Sequence, residues 1–323
     1  MRSHSPIQVA ETGRYLQRAD GSPLFYLGDT AWELFHRLTL DEADRYLRDR
    51  ATKGFTVIQA VVLSEIDGLT VPNANGDLPL HDLDPARPVA AYFAHVDAIV
   101  RLANELGLVV GMLPTWGRYW KQADVSQTGP GVGAEYSIFT PENARVYGEF
   151  LGKRYAAADL IWILGGDQDV NTPRERTIID AMAAGLAAGD SGTHLRTFHP
   201  RGPGRSREQL DDAAWIDFHM NQSSHAAPEH DPGVFVDSDY AMEPPRPIVD
   251  GEPRYEQIPV GFYYRGSNPA VRFSDHDART AAWQNILAGA CGHTYGNNNI
   301  WQMWDEGRAP VLSANAPWHR AIH

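Results

Sequence analysis

Along this chain, short apolar runs that end in polar or aromatic residues alternate with longer, Ala-rich, charge-bearing stretches. No other feature narrows the fold as far, because parallel strands need crossover connections and each crossover helix covers the strands it joins. About eight such runs can be counted. Leu24–Leu27 leads into Gly28-Asp29-Thr30, and Leu40–Lys53 has helical spacing with Thr39 as its cap before Asp41 and Glu42. Val57–Leu63 is a continuous β-branched run, as a strand buried on both faces should be. Helix Tyr92–Leu106 precedes strand Leu108–Leu113, and helix Pro141–Ala157 precedes strand Leu160–Leu164 and Gly165-Gly166-Asp167. Helix Arg174–Ala188 follows. Leu195–Phe198 ends at His199, Trp215–Met220 at Asn221 and Gln222, and Pro247–Asp250 at Gly251-Glu252. Helix Asp277–Ala290 and strand His293–Tyr295 complete the set.

Polar and aromatic residues collect at the carboxyl ends of these runs, where a (β/α)8 barrel builds its active site. The expected fold class is therefore α/β, a (β/α)8 TIM barrel in a single domain spanning residues 1–323. A doubly wound open sheet would share the periodicity, but no GxGxxG follows the first strand and no GxxxxGK[ST] occurs. Length alone suggests about two domains at roughly 150 residues each. One barrel accounts for the chain instead. Beyond the eighth strand only Gly296–His323 remain, so the closing helix is expected to be short or missing, as in a chain cut before its last helix and any trailing β domain.

Two carboxylates stand out by position. Asp167 ends the fourth strand after a Gly-Gly pair, and Glu252 ends the seventh in Asp-Gly-Glu-Pro-Arg-Tyr. In a closed barrel these ends face each other, so the two carboxyls can flank one glycosidic bond. Either acid alone would equally well cap a helix or pair with an arginine. Asp29 has the same strand-end placement, open between binding sugar hydroxyls and capping the next helix. His199, His219 and Asn221 stand at strand ends where they can orient a carboxylate or meet a hydroxyl, or serve structure only. Of nine tryptophans, Trp32, Trp116, Trp120, Trp301 and Trp304 fall in strand-end loops and can stack on sugar C–H faces, whereas Trp162, Trp215 and Trp283 read as packing. Such a site is compatible with hydrolysis or with lectin-like binding.

Other chemistries find little support. The single cysteine, Cys291, excludes an internal disulfide and a multi-thiolate metal site. No HExxH and no GxSxG are present, and no metal or cofactor is expected; Asp67 and Asp169 read as solvated loop acids. With 43% hydrophobic residues the chain is not disordered, and its formal charge of −13 would be repelled by a nucleic-acid backbone or an anionic membrane. No apolar run is long enough to span a membrane, and Met1–Ser5 leads into polar Gln8, Glu11 and Arg14. As given, the chain reads as soluble and cytoplasmic, or as secreted or periplasmic if a leader has been trimmed. An acidic substrate would need local positive charge, for which Arg118, Lys121, Arg254 and Arg265 lie in suitable loops.

Five motifs in order carry a family resemblance. Gly28-Asp29-Thr30-Ala31-Trp32, then Arg50 to Gln59 (RATKGFTVIQ), Leu113-Pro114-Thr115-Trp116-Gly117, Ile161 to Asp167 (IWILGGD) and Gly251 to Glu256 (GEPRYE) resemble the apiosidase-like glycoside hydrolases, family 140. The resemblance covers about Gly13 to Trp318. It implies a (β/α)8 barrel that removes a terminal apiose β-linked to galacturonic acid in the pectic polysaccharide rhamnogalacturonan II. It also implies Asp167 as acid/base and Glu252 as nucleophile of a retaining enzyme, with pectic carbohydrate as the partner. Gln59 and Tyr255, inside the quoted motifs, join Asp29, Trp32, Trp116, His199, His219, Asn221, Trp301 and Trp304 as the expected sugar-binding set. Family members commonly carry a secretion signal and a trailing β-rich domain, and often Arg where this chain has Gln168. The loops 67–84 and 116–138 are expected to choose the sugar, which leaves another pentose or a galacturonide open.

Overall fold

The computed structural model describes residues 5–121 and 137–323. Strands β1 (Ile7–Val9), β2 (Leu16–Arg18) and β3 (Pro23–Leu24) form a small antiparallel sheet ahead of the main body. Eight parallel strands follow in chain order: β4 (Tyr26–Thr30), β5 (Val57–Leu63), β6 (Val109–Thr115), β7 (Leu160–Gly165), β8 (Arg196–His199), β10 (His219–Gln222), β11 (Ile248–Asp250) and β12 (Gly292–Tyr295). The short β9 (Gly204–Arg205) adds antiparallel to β10. Last strand pairs with first, Tyr295 opposite Asp29. Between β8 and β10 the wall closes without a regular ladder, through the Asp217 N–H on the Arg196 carbonyl at 2.9 Å and the Thr197 hydroxyl on the Phe218 carbonyl at 2.7 Å. This is the expected (β/α)8 barrel, in one domain.

The helices are α1 (Leu34–Arg37), α2 (Leu40–Thr52), α3 (Ala90–Glu105), α4 (Pro141–Tyr155), α5 (Pro173–Asp190), α6 (Ser206–Leu210), α7 (Gly233–Tyr240), α8 (Asp275–Leu287), α9 (Asn298–Trp301) and α10 (Trp318–Ala321). Four of the long ones begin with reciprocal capping boxes: Thr39 with Glu42, Thr140 with Asn143, Thr172 with Glu175 and Ser274 with Asp277. Each cap satisfies amides the helix itself leaves orphaned and stabilises its start by about 1 kcal/mol. Every residue of β5, β6 and β7 is buried, which is why their sequences are continuous apolar runs rather than alternating ones.

One boundary differs from the sequence reading. Trp215 precedes β10 rather than lying within it, since its indole N–H turns outward to Asp180 of α5 at 2.7 Å. The last two helices, α9 and α10, are single turns. The buried Trp318 of α10 sets its ring 6.4 Å from Tyr46 of α2, and the Ile322 carbonyl accepts from Arg50 at 2.8 Å.

Candidate active site

Asp167 stands at the end of the fourth barrel strand, on backbone that few residues tolerate. Gly165, Gly166 and Asp167 have φ of +97°, +92° and +57°. A Cβ on Gly165 would sit 2.3 Å from the His199 carbonyl oxygen, so the glycines let β7 turn tightly against the end of β8. The turn is pinned by the Gly166 N–H on that same carbonyl at 3.2 Å and by the Gly117 N–H on the Gly166 carbonyl at 2.9 Å. The side chain of Gln168 packs over Gly117.

Glu252 stands at the end of the seventh strand, between two histidines. His225 Nε2 lies 3.1 Å from Oε1, and His199 Nε2 lies 3.1 Å from Oε2. In both rings Nδ1 accepts a backbone amide: His199 from Asp167 at 3.2 Å, His225 from Tyr255 at 3.3 Å. With Nδ1 turned to an amide, each ring directs its Nε2 at one of the two oxygens of a single carboxylate. The His225 contact is a well-formed hydrogen bond. The His199 contact is out of line, and Glu252 Oε2 is a buried oxygen with no well-aligned donor among the described residues. Below the carboxylate, Asp250 accepts from the Ser223 hydroxyl at 2.6 Å and from Asn285 at 2.9 Å, which fixes the strand end.

The two acids are tuned in opposite directions. Burial, then the Glu252 charge, pushes the Asp167 carboxyl up to about 7, against the opposing pull of His199 and a hydrogen bond from Gln222. Burial would raise Glu252 as well, but the two histidines at its oxygens, His199 and His225, prevail and bring it down to about 2. Near neutrality the pair therefore holds one proton, on Asp167. Glu65, just past β5, is a third carboxyl in the same field, held well above its ordinary range by burial and then by Asp167, Glu33 and Glu252. The aromatic wall consists of Trp32 and Trp116, 5.4 Å apart and 5.5 and 6.2 Å from the His199 ring. Tyr255 packs at a tilt against His225, ring centroids 4.5 Å apart. Its hydroxyl sits among Glu252, Thr30 and Trp32.

A proton-bearing acid facing an ionised one is the arrangement that glycosidic bond cleavage requires. The family model for the apiosidase-like catalytic domain matches residues 10–323. The chain belongs to the apiosidase-like glycoside hydrolases. A solved structure described as a glycoside hydrolase is 33% identical, with 98% of this chain aligned to 71% of that one at a TM-score of 0.85. A glycoside hydrolase family 5 structure from Bacteroides vulgatus ATCC 8482 is 31% identical over 98% of this chain and 68% of its own, at 0.84. The family 5 mannosidase from Rhizomucor miehei, 14% identical over 100% and 97% of the two chains at 0.65, shares the fold. No curated protein matches the chain.

In this apiosidase-like barrel, several residues expected at the sugar face elsewhere. Asp29 points out of the barrel wall to α2, accepting from the Tyr46 hydroxyl at 2.6 Å with Arg50 at 3.3 Å. Gln59 lies mid-strand, where its amide bridges the Tyr26 hydroxyl at 2.8 Å and the Gly251 carbonyl at 2.9 Å inside the barrel. His219 turns outward to Ser206 of α6 at 3.1 Å, and burial, then Arg246 and Arg207, brings it down to about 3. Asn221, two residues on and on the same face of β10, reaches toward Asp239 of α7. Trp301 is buried on Asn298, and the Trp304 indole donates to the Arg308 carbonyl, so both are anchored within their own segment. Trp120 likewise donates to the Gly165 carbonyl at 2.7 Å.

The inward residue of β10 is Gln222, which the sequence reading passed over although strand alternation with His219 and Asn221 pointed outward would have marked it. His225 and Glu65 were also missed; each sits in a polar run just past a strand end, the same signal that marked His199. Of the cations considered for an acidic substrate, Arg254 is buried on the Pro228 and His230 carbonyls, and Lys121 is tied to the Asp169 carbonyl and Glu175. Arg118 donates to the Glu65 carbonyl. Much of the loop 116–138 falls outside the described residues.

Proposed function

We propose that this glycoside hydrolase is a retaining, exo-acting apiosidase that removes terminal apiose from side chains of rhamnogalacturonan II, with Asp167 as acid/base and Glu252 as nucleophile. The observation that carries the reading is the opposite tuning of the two facing carboxyls, Asp167 toward about 7 and Glu252 toward about 2. Asp167, protonated, gives its proton to the departing glycosidic oxygen while Glu252 Oε2 attacks the anomeric carbon. The His225 bond on Oε1 holds the carboxylate in place and leaves the poorly partnered Oε2 as the attacking atom. Asp167, now ionised, takes a proton from water, whose oxygen displaces Glu252 and releases the sugar. Gln222 steadies the Asp167 carboxyl, and the Trp32 and Trp116 faces supply an apolar wall for the sugar ring.

Family membership supports apiose as the sugar, and the test is a screen of aryl glycosides and pectic oligosaccharides with product analysis. Release of apiose from a rhamnogalacturonan II side chain, with retained anomeric configuration in the first-formed product, is the expected result. Release of a different sugar, or inversion, would overturn the corresponding part of the assignment.

A further inference from the structure

The loop that follows Glu252 presents an aromatic ladder that starts at the nucleophile's own histidine and runs to the surface. Ring centroids step from His225 to Phe262 at 6.0 Å, to Tyr263 at 4.9 Å and to Tyr264 at 4.7 Å. Phe262 is half-buried, whereas Tyr263 and Tyr264 are 45% and 59% exposed. These are not loosely held surface rings. The Tyr263 hydroxyl is 2.8 Å from the Ser224 hydroxyl, and the Ser224 N–H donates to the Glu252 carbonyl. The Gly261 N–H donates to the His225 carbonyl and the Tyr264 N–H to the Gly261 carbonyl, each at 2.8 Å, and the Tyr264 ring lies against Gly261. Tyr240, also exposed, has Arg14 seated over its face at 3.9 Å. Among the described residues no cation is seated over Tyr263 or Tyr264.

We propose that Tyr263 and Tyr264 form a stacking subsite for the sugar ring adjoining the one whose glycosidic bond is cleaved, an inference that rests on the glycosidase reading above. Sugar C–H faces carry a slight positive charge and aromatic faces a negative one, so the two stack while the hydroxyls stay wet. Rings already fixed by hydrogen bonds and packing lose little freedom on binding, and so bind more tightly than mobile ones would. The ladder runs from His225, the histidine on Glu252 Oε1, through Phe262 to Tyr263 and Tyr264, so a ring seated on the tyrosines is held from the residue that positions the nucleophile.

The test compares kcat/KM on a rhamnogalacturonan II side-chain oligosaccharide with that on methyl β-apioside, which has no adjoining ring. In Tyr264→Ala the ratio of the two is expected to fall at least tenfold, and in Tyr264→Phe, which keeps the face, it is expected to stay within about twofold. A ratio unchanged in Tyr264→Ala, whether both substrates decline together or neither does, would overturn the proposal. If the wild-type enzyme releases apiose from neither substrate, the apiosidase reading fails, and calorimetric titration of Glu252→Gln with the same oligosaccharide decides the subsite. Binding that weakens at least tenfold when Tyr264→Ala is added supports it. Equal binding, or none, overturns it.

Discussion

At the residue scale, Glu252 stands between two imidazoles, His225 in line and His199 out of line, whereas Asp167 has a hydrogen bond from Gln222. Both imidazoles are held in place by a backbone amide on Nδ1, which fixes where Nε2 points. This predicts the pH profile. With Asp167 as acid and Glu252 as nucleophile, as proposed, kcat/KM falls as pH rises through about 7, and the acid limb lies near 2. His225→Phe keeps an aromatic ring beside Tyr255 and removes one donor. A hydrogen bond to a charged group contributes about 1.5–3 kcal/mol, and one pH unit corresponds to about 1.4 kcal/mol, so the acid limb should rise by about 1–2 units. The base limb should stay near 7, because Glu252 remains ionised there. A base limb that moves while the acid limb stays would contradict the assignment of the two groups. Position at a strand end is what made Asp167 and Glu252 legible in the sequence. The histidine orientations and the tuning were not, since they arise from amides of residues that meet only after the barrel closes.

At the element scale, the barrel strands sort their side chains by alternation, and this is where the sequence reading parted from the structure. Asp29 and Asn221 look equivalent to Asp167 when only distance to a strand end is counted, yet each sits on the outward phase of its strand. Short strands such as β10 (four residues) and β11 (three) give too little pattern to set the phase from sequence alone. The outward Asp29 joins β4 to α2 through Tyr46 and Arg50. Asp29→Asn should therefore lower stability by about 1–3 kcal/mol, since Arg50 keeps Asp49 at 2.8 Å, and the melting temperature should drop by several degrees. Measured well below that temperature, KM should stay within about twofold. A raised KM at unchanged melting temperature would place Asp29 at the substrate after all. Helix starts, by contrast, were legible: Thr39 as the cap before Leu40, and Pro141 as a first-turn residue, mark starts that the structure reproduces.

At the scale of the whole molecule, the eightfold alternation of strand and helix was readable because every parallel connection must be a long crossover and every fully buried strand an unbroken apolar run. Closure was less so. The wall between β8 and β10 holds through single hydrogen bonds from Asp217 and Thr197 rather than a ladder, and no local pattern announces that. Closure is also what brings the fourth and seventh strand ends together on His199, and so what turns two ordinary acids into a pair. The most direct test of that pairing is chemical rescue by azide of the two carboxyl variants on an apioside with a good leaving group. Glu252→Ala should lose turnover by at least a thousandfold and recover with azide to give a glycosyl azide of inverted configuration, whereas Asp167→Ala with azide should give one of retained configuration. Near-normal turnover by Glu252→Ala without azide would contradict the account.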